Sequence, residues 1–245
     1  MQVLQHPAGF RFGVRGGKPA SPSPTLFILA ARIEETLEND DFNKAGRLLR
    51  ADGFLSVALD VPCHGENVRE GEPTSLPGWR YRLEQGENFP RDFAGRVSSL
   101  LDHLIREGLT DPARVAAIGT SRGGFLALHW AAVEPRVKAV IAVAPVVDLR
   151  ALTEFKGLED HELTKAVALD NVADHLAGRA IWVCIGNHDE RVSTDNCIRF
   201  TRKVVAASIA QKKPANIELH ISTAVGHGTH PTAHDEAATW IRRQL

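Results

Sequence analysis

A serine hydroxyl is a weak nucleophile at neutral pH unless a base stands within hydrogen-bond reach and a carboxylate orients that base. One serine of this sequence stands in a setting that could activate it: Gly119-Thr120-Ser121-Arg122-Gly123. The letters G-x-S-x-G alone are not specific, but here a short apolar strand pattern, Arg114–Ile118, leads directly in. A helical pattern, Phe125–Val133, leads directly out. A serine at such a strand-to-helix turn sits in a strained conformation, and small residues on both flanks let the chains pass closely. The turn would expose the Ser121 hydroxyl at the edge of a sheet. It would also aim a helix N-terminus, with the amide of Arg122, at the place where an oxyanion forms.

The partners such a serine needs can be placed. Asp189 follows the apolar run Ala180–Gly186, and His227 follows Ile217–Thr223 and a short connection. In a parallel sheet all three side chains emerge at one edge, in the chain order Ser, Asp, His. Asp148, after the run Val137–Ala144, is the rival acid. Asp195 reads as a first-turn carboxylate that suits a helix dipole, and His188 as a residue shaping the acid loop. His230 and His234 fall at helix-start spacing and read as caps or solvated positions. A zinc site from His227, His230 and His234 lacks an HExxH-like frame. His64 reads as a structural contact below the site. No GxGxxG is present, and Gly17-Lys18 is followed by Pro19, so dinucleotide and P-loop sites fail and no cofactor is expected.

Positioning these residues requires an alternation of strands and helices. Six apolar runs bounded by Gly, Pro or Asp read as strands buried on both faces: Thr25–Ala31, Leu55–Val61, Arg114–Gly119, Val137–Ala144, Ala180–Gly186 and Asn216–Thr223. Between and after them, helical patterns run over Asn43–Asp52, Phe93–Arg106, Gly123–Val133, Val192–Ala210 (with Ser193 and Thr194 as candidate caps) and Ala233–Arg243. Gly9–Arg15 alternates and predicts an antiparallel edge hairpin with Val3-Leu4, and Pro19–Pro24 reads as a loop. The fold class is therefore α/β, a mostly parallel central sheet with helices on both faces. Two stretches break the repeat, 66–90 and 149–178. Both leave from C-terminal strand ends, where open α/β sheets hold their ligands, and both read as lid-like insertions in a single domain spanning 1–245.

Composition narrows the class further. The chain has 245 residues, 43% hydrophobic and 24% charged, which is ordinary for a globular domain able to bury a large core. Its 29 basic and 30 acidic residues leave a net charge of −1, with no basic block to attract nucleic acid or an anionic membrane. No apolar run is long enough to span a bilayer, and the start does not read as a signal peptide. Three cysteines, Cys63, Cys184 and Cys197, without a CxxC pair point to a reducing, cytoplasmic setting.

The elbow around Ser121 resembles the α/β-hydrolase fold, in particular its dienelactone-hydrolase and prolyl-oligopeptidase-like branch. The resemblance runs from about Thr25 to the end. Leu59-Asp60-Val61-Pro62-Cys63-His64-Gly65 looks like the family's loop after the fourth strand. Ile185 to Val192 looks like its acid loop, and Val225-Gly226-His227-Gly228 like its histidine loop. The resemblance implies a serine hydrolase with Ser121 as nucleophile, His227 as base and Asp189 as acid. It also implies a second oxyanion amide just after Thr25–Ala31, where relatives often carry His-Gly and this chain has Ala30-Ala31-Arg32. Either Ala31 or Arg32 could supply that amide, and the alignment favours Arg32. In the first insertion, Trp79, with Arg80 and Arg82, is the candidate substrate-binding group. The expected substrate is a small carboxylic ester. A peptidase or amidase with the same triad is the alternative, weakened by the lack of a β-propeller in the chain; so is a non-catalytic binding protein on the same scaffold.

Overall fold

The computed structural model describes residues 1–16, 22–228 and 230–245. Eight strands form one sheet in the order β1-β2-β4-β3-β5-β6-β7-β8. β1 (Gln2–Gln5) and β2 (Arg11–Arg15) make the antiparallel edge hairpin that the alternation predicts, and β2 pairs antiparallel with β4 (Leu55–Ala58). The remaining strands are parallel: β3 (Ser23–Leu29), β5 (Thr110–Thr120), β6 (Val137–Val143), β7 (Ala180–His188) and β8 (Ile217–Val225). β3 takes in Ser23 and Pro24, which the sequence reads as loop, while positions 19–21 of that loop lie outside the described residues.

The inner runs became strands covered on both faces, whereas the last, expected to be buried as well, is the edge strand β8, whose residues alternate between half-buried and exposed. Leu26, Phe27, Ile28 and Leu29 of β3 and Val140, Ile141, Ala142 and Val143 of β6 are all buried. On one face lie α4 (Phe89–Arg106), α5 (Arg122–Val133) and α7 (Thr194–Ala210), around Phe27, Trp130, Phe125 and Phe200. On the other lie α1 (Ile33–Glu38), α2 (Asp40–Leu49) and the C-terminal α8 (Ala233–Gln244), around Ile33, Leu49, Trp182 and Trp240. Among the described residues, no helix is long and apolar enough to cross a membrane. The three cysteines are free and buried, and burial pushes their thiols up to about 11 or 12.

The first insertion departs from expectation. Residues 66–90 include α3 (Ser75–Glu84), whose inner face buries Leu76, Gly78, Trp79, Arg82 and Leu83. Trp79 is not a pocket residue. It is 0% exposed, packs on Phe89 and Phe125 with ring centroids 4.6 and 5.9 Å away, and donates its indole N–H to the Pro62 carbonyl at 2.7 Å. Arg82 is buried too. Its guanidinium grips Glu72 through two hydrogen bonds of 3.0 and 2.5 Å and also holds Asn67. Burial alone would raise the Glu72 carboxyl, but Arg82 and the Arg69 amide hold it below its usual range. Arg80 is engaged with Glu84 and with the carbonyls of Glu154 and Lys156. The helix was hidden because its buried face carries an arginine and a glycine. Gly78 is required there: a Cβ would stand 2.2 Å from the Pro73 carbonyl oxygen and 2.6 Å from the Cys63 sulfur.

The second insertion, 149–178, is a chain of 3-10 turns with one short helix, α6 (Glu162–Ala166). His129 of α5 donates to the Val167 carbonyl at 2.9 Å and meets the edge of Phe125, and burial pulls its pKa down to about 4.

Two stability predictions result. Trp79→Ala removes a buried indole and its hydrogen bond, and should cost about 3–5 kcal/mol by denaturant unfolding. The pH dependence has a definite sign. The unfolded chain accepts a proton on His129 near its ordinary value of 6.5, whereas the folded chain resists until about 4. Stability is therefore lost as pH falls through that window. His6, His64 and His234 are shifted the same way by burial. Denaturation midpoints should fall from pH 7 to pH 5, and His129→Gln should flatten the trend.

Candidate active site

β5 runs into α5 with a single residue, Ser121, between them, and Ser121 takes φ 54° and ψ −115°. A side-chain-bearing residue reaches this conformation only when its surroundings hold it there. Here the hold is visible. The Ser121 amide donates to the Val143 carbonyl at 2.8 Å, and its own carbonyl accepts from Val146 and Phe125 at 3.1 and 3.2 Å. The flanking glycines allow the approach. A Cβ on Gly119 would stand 2.1 Å from the backbone of Gly123, and one on Gly123 would stand 1.7 Å from the Leu29 carbonyl oxygen.

His227 bridges the serine to an acid. Its Nε2 lies 2.9 Å from Ser121 Oγ and its Nδ1 lies 2.8 Å from Asp189 Oδ2. With Asp189 accepting the Nδ1 proton, Nε2 presents its lone pair to the serine hydroxyl, which donates to it. The Asp189 side chain is fully buried, and its Oδ1 accepts from the amides of Arg191 and Val192 at 3.0 and 3.1 Å. Three charge-assisted bonds thus fix a carboxylate at the end of β7. Thr194 secures the loop: its hydroxyl donates to the Gly186 carbonyl and accepts the Asp189 amide. Ser193, not Thr194, caps α7, by accepting from the Asn196 amide. Asp195 lies in that helix's first turn, as its position suggests.

The rivals have other partners. Asp148 is held by Arg150, which reaches both carboxylate oxygens at 2.6 to 3.2 Å. His188 is exposed, with its Nε2 3.4 Å from Glu190. His230 hydrogen-bonds Thr232 ahead of α8, and His234 is buried in that helix's first turn. His64 donates Nδ1–H to the Pro62 carbonyl, and burial lowers its pKa. A cleft of about 150 Å³ lined by Pro62, Arg82, Phe89 and Arg96 contains none of Ser121, Asp189 and His227.

The connection after β3 supplies a further donor. The Ala31 amide is spent on the Thr36 hydroxyl at 3.0 Å, and that of Ile33 on Asp60 at 2.8 Å. Between them, the Arg32 amide has no acceptor among the described residues. The Arg122 amide, first in α5, has no turn before it to bond. Thr36 and Thr194 do their work through hydroxyl hydrogen bonds that no sequence spacing announces. The acid loop is also tied to the second insertion: Arg191 grips Glu154 at 2.8 and 2.6 Å.

A mostly parallel sheet whose central strand turns through a strained serine into a helix defines an α/β-hydrolase. The prolyl oligopeptidase family matches residues 81–245, and the chain belongs to that family. It is similar to YtaP of Bacillus subtilis, 23% identical over 154 residues, which cover 60% of this chain and 51% of that protein. The chain spans about half the length of YtaP and about a quarter of the next curated relatives it matches. Among solved structures, dipeptidyl peptidase 4 of Porphyromonas gingivalis superposes with a TM-score of 0.73 at 18% identity, over 100% of this chain and 35% of that one. A cold-adapted esterase from an Arctic intertidal metagenomic library gives 0.71 at 16% identity, over 100% and 92%. At such identities the two structures share the fold.

Asp189→Asn should cost roughly 10⁴-fold in turnover, because the wrong histidine tautomer then faces the serine. Asp148→Asn should cost far less, since that carboxylate serves Arg150. Steady-state kinetics on both variants checks the ranking, and the reverse order would move the acid to the end of β6.

Proposed function

We propose that the chain cleaves carboxylic esters through an acyl-enzyme intermediate. The observation that carries this reading is the continuous line from Ser121 Oγ through His227 to buried Asp189, at 2.9 and 2.8 Å. Ser121 Oγ attacks the ester carbonyl carbon as its proton passes to His227 Nε2, and Asp189 stabilises the imidazolium. The carbonyl electron pair moves to oxygen, where the amides of Arg122 and Arg32 receive it. The oxyanion collapses and expels the alkoxide, which takes the proton from His227 and leaves as an alcohol. Water, deprotonated by His227, then attacks the acyl-serine and releases a carboxylic acid and the free serine. All of this uses side chains and amides already in place, with no cofactor invoked.

The preference for esters rests on chemistry: an alkoxide is a better leaving group than an amine, so ester cleavage makes the smaller demand on the site. Amide cleavage is the second reading. What favours it is the family itself, which takes its name from prolyl oligopeptidase.

Ser121→Ala should lower p-nitrophenyl ester hydrolysis on the order of 10⁶-fold with the fold intact. A variant that keeps a tenth of the activity would exclude a serine mechanism. A panel of p-nitrophenyl esters beside a proline anilide should show kcat/KM larger for the esters; the opposite ranking would establish the amide reading.

A further inference from the structure

The two amides assigned above to the oxyanion belong to different parts of the chain. That of Arg122 is built into the elbow, which the Gly119, Gly123 and Leu29 backbones hold rigid. That of Arg32 sits on the bare connection between β3 and α1, with no side-chain cap at the start of that six-residue helix. Two donors stabilise an oxyanion only if both point at one spot about 3 Å from each. Something must therefore set the distance between connection and elbow.

The Arg122 side chain spans that gap. Its Nε donates to the Ala30 carbonyl at 2.9 Å, a contact between residues 92 apart in sequence. Arg122 has no carboxylate within salt-bridge distance among the described residues, and burial lowers its pKa. Glu35 and His64 are the titratable groups that face it. A half-buried guanidinium kept on a single backbone carbonyl is costly unless the contact itself is useful. The other ties on the connection bind it to its own helix and to the loop after β4: Ala31 N–H to Thr36, Val61 N–H to the Ala31 carbonyl, Ile33 N–H to Asp60. The Arg122 hydrogen bond joins it directly to the residue beside the nucleophile.

We infer that the Arg122 side chain is a positioning residue, a strut that holds the Arg32 amide in register with the Arg122 amide so that one oxyanion meets both. The inference rests on the serine-hydrolase reading. It concerns the side chain, where the assignment above concerns the amide. Loss of the strut leaves both N–H groups present but lets the connection drift. The cost should fall on the transition state, which needs both donors, more than on the ground state.

The test compares the parent with Arg122→Met, which fills similar space without a donor, and Arg122→Gln, which keeps a donor without the charge. With a p-nitrophenyl ester, kcat should fall about 10- to 100-fold in Arg122→Met with KM nearly unchanged, and Arg122→Gln should recover part of the loss. The inhibition constant of a trifluoromethyl ketone, which becomes an oxyanion on the serine, should rise in proportion to the loss in kcat/KM. Hydrogen exchange read by mass spectrometry supplies an arm independent of catalysis. Peptides covering residues 30–37 should exchange faster in Arg122→Met while the unfolding midpoint stays near the parent's. Unchanged exchange in that segment, or a loss confined to KM, would overturn the strut. Failure of the parent itself to hydrolyse any ester would instead count against the proposed function, and the exchange result would still decide the strut.

Discussion

The backbone of β3 and the start of α5 approach each other more closely than any side chain would permit. The Leu29 carbonyl oxygen occupies the place where a Cβ on residue 123 would stand, and Gly119 and Gly123 face each other with the same intolerance. This contact forces the chain to leave β5 abruptly, and the residue at the corner takes a positive φ. The strain is met by what surrounds it: ladder bonds to β6, the carbonyl of Ser121 shared between Val146 and Phe125, and the apolar bulk of α5. From that corner the serine hydroxyl is held where β7 and β8 can deliver their own residues.

Other strained residues lie at neighbouring strand ends. Cys63 follows β4, Ala144 follows β6 and Ser193 follows β7, each with positive φ. Such conformations cost of order 1–3 kcal/mol each and persist where surrounding structure over-determines them. At this edge of the sheet the supports are specific: Ala144 N–H reaches the Cys184 carbonyl, and Thr194 ties Asp189 to Gly186. The large core below, with four buried tryptophans, supplies the stability that allows an edge of this kind. The glycine contact, the acid loop and the Arg122 strut all constrain backbone, and the side chains of the site then follow from it.

Much of this could be read from residues alone. Strands covered on both faces leave continuous apolar runs, so the sheet and its order of chemistry-bearing loops were legible. The elbow was legible because its glycines have a steric reason to be there. Ser121, His227 and Asp189 could be named because each follows an apolar strand at one edge. What escaped detection depends on partners far away in sequence. Trp79 reads as a lid residue until Phe89 and Phe125 are seen to enclose it, and α3 is masked by Arg82, whose burial is tolerable only beside Glu72. Asp148 and Asp189 look alike along the chain; one is taken by Arg150 and the other by His227. The choice between the Ala31 and Arg32 amides turns on one hydroxyl, that of Thr36.

The central claim is that Ser121 is the residue this architecture activates. A fluorophosphonate probe incubated with the folded chain, followed by intact-mass measurement and peptide mapping, tests it most directly. The account predicts one label per chain, on Ser121, with none on Ser121→Ala of equal melting temperature. A label on any other residue, or a folded chain that stays unmodified, would contradict it.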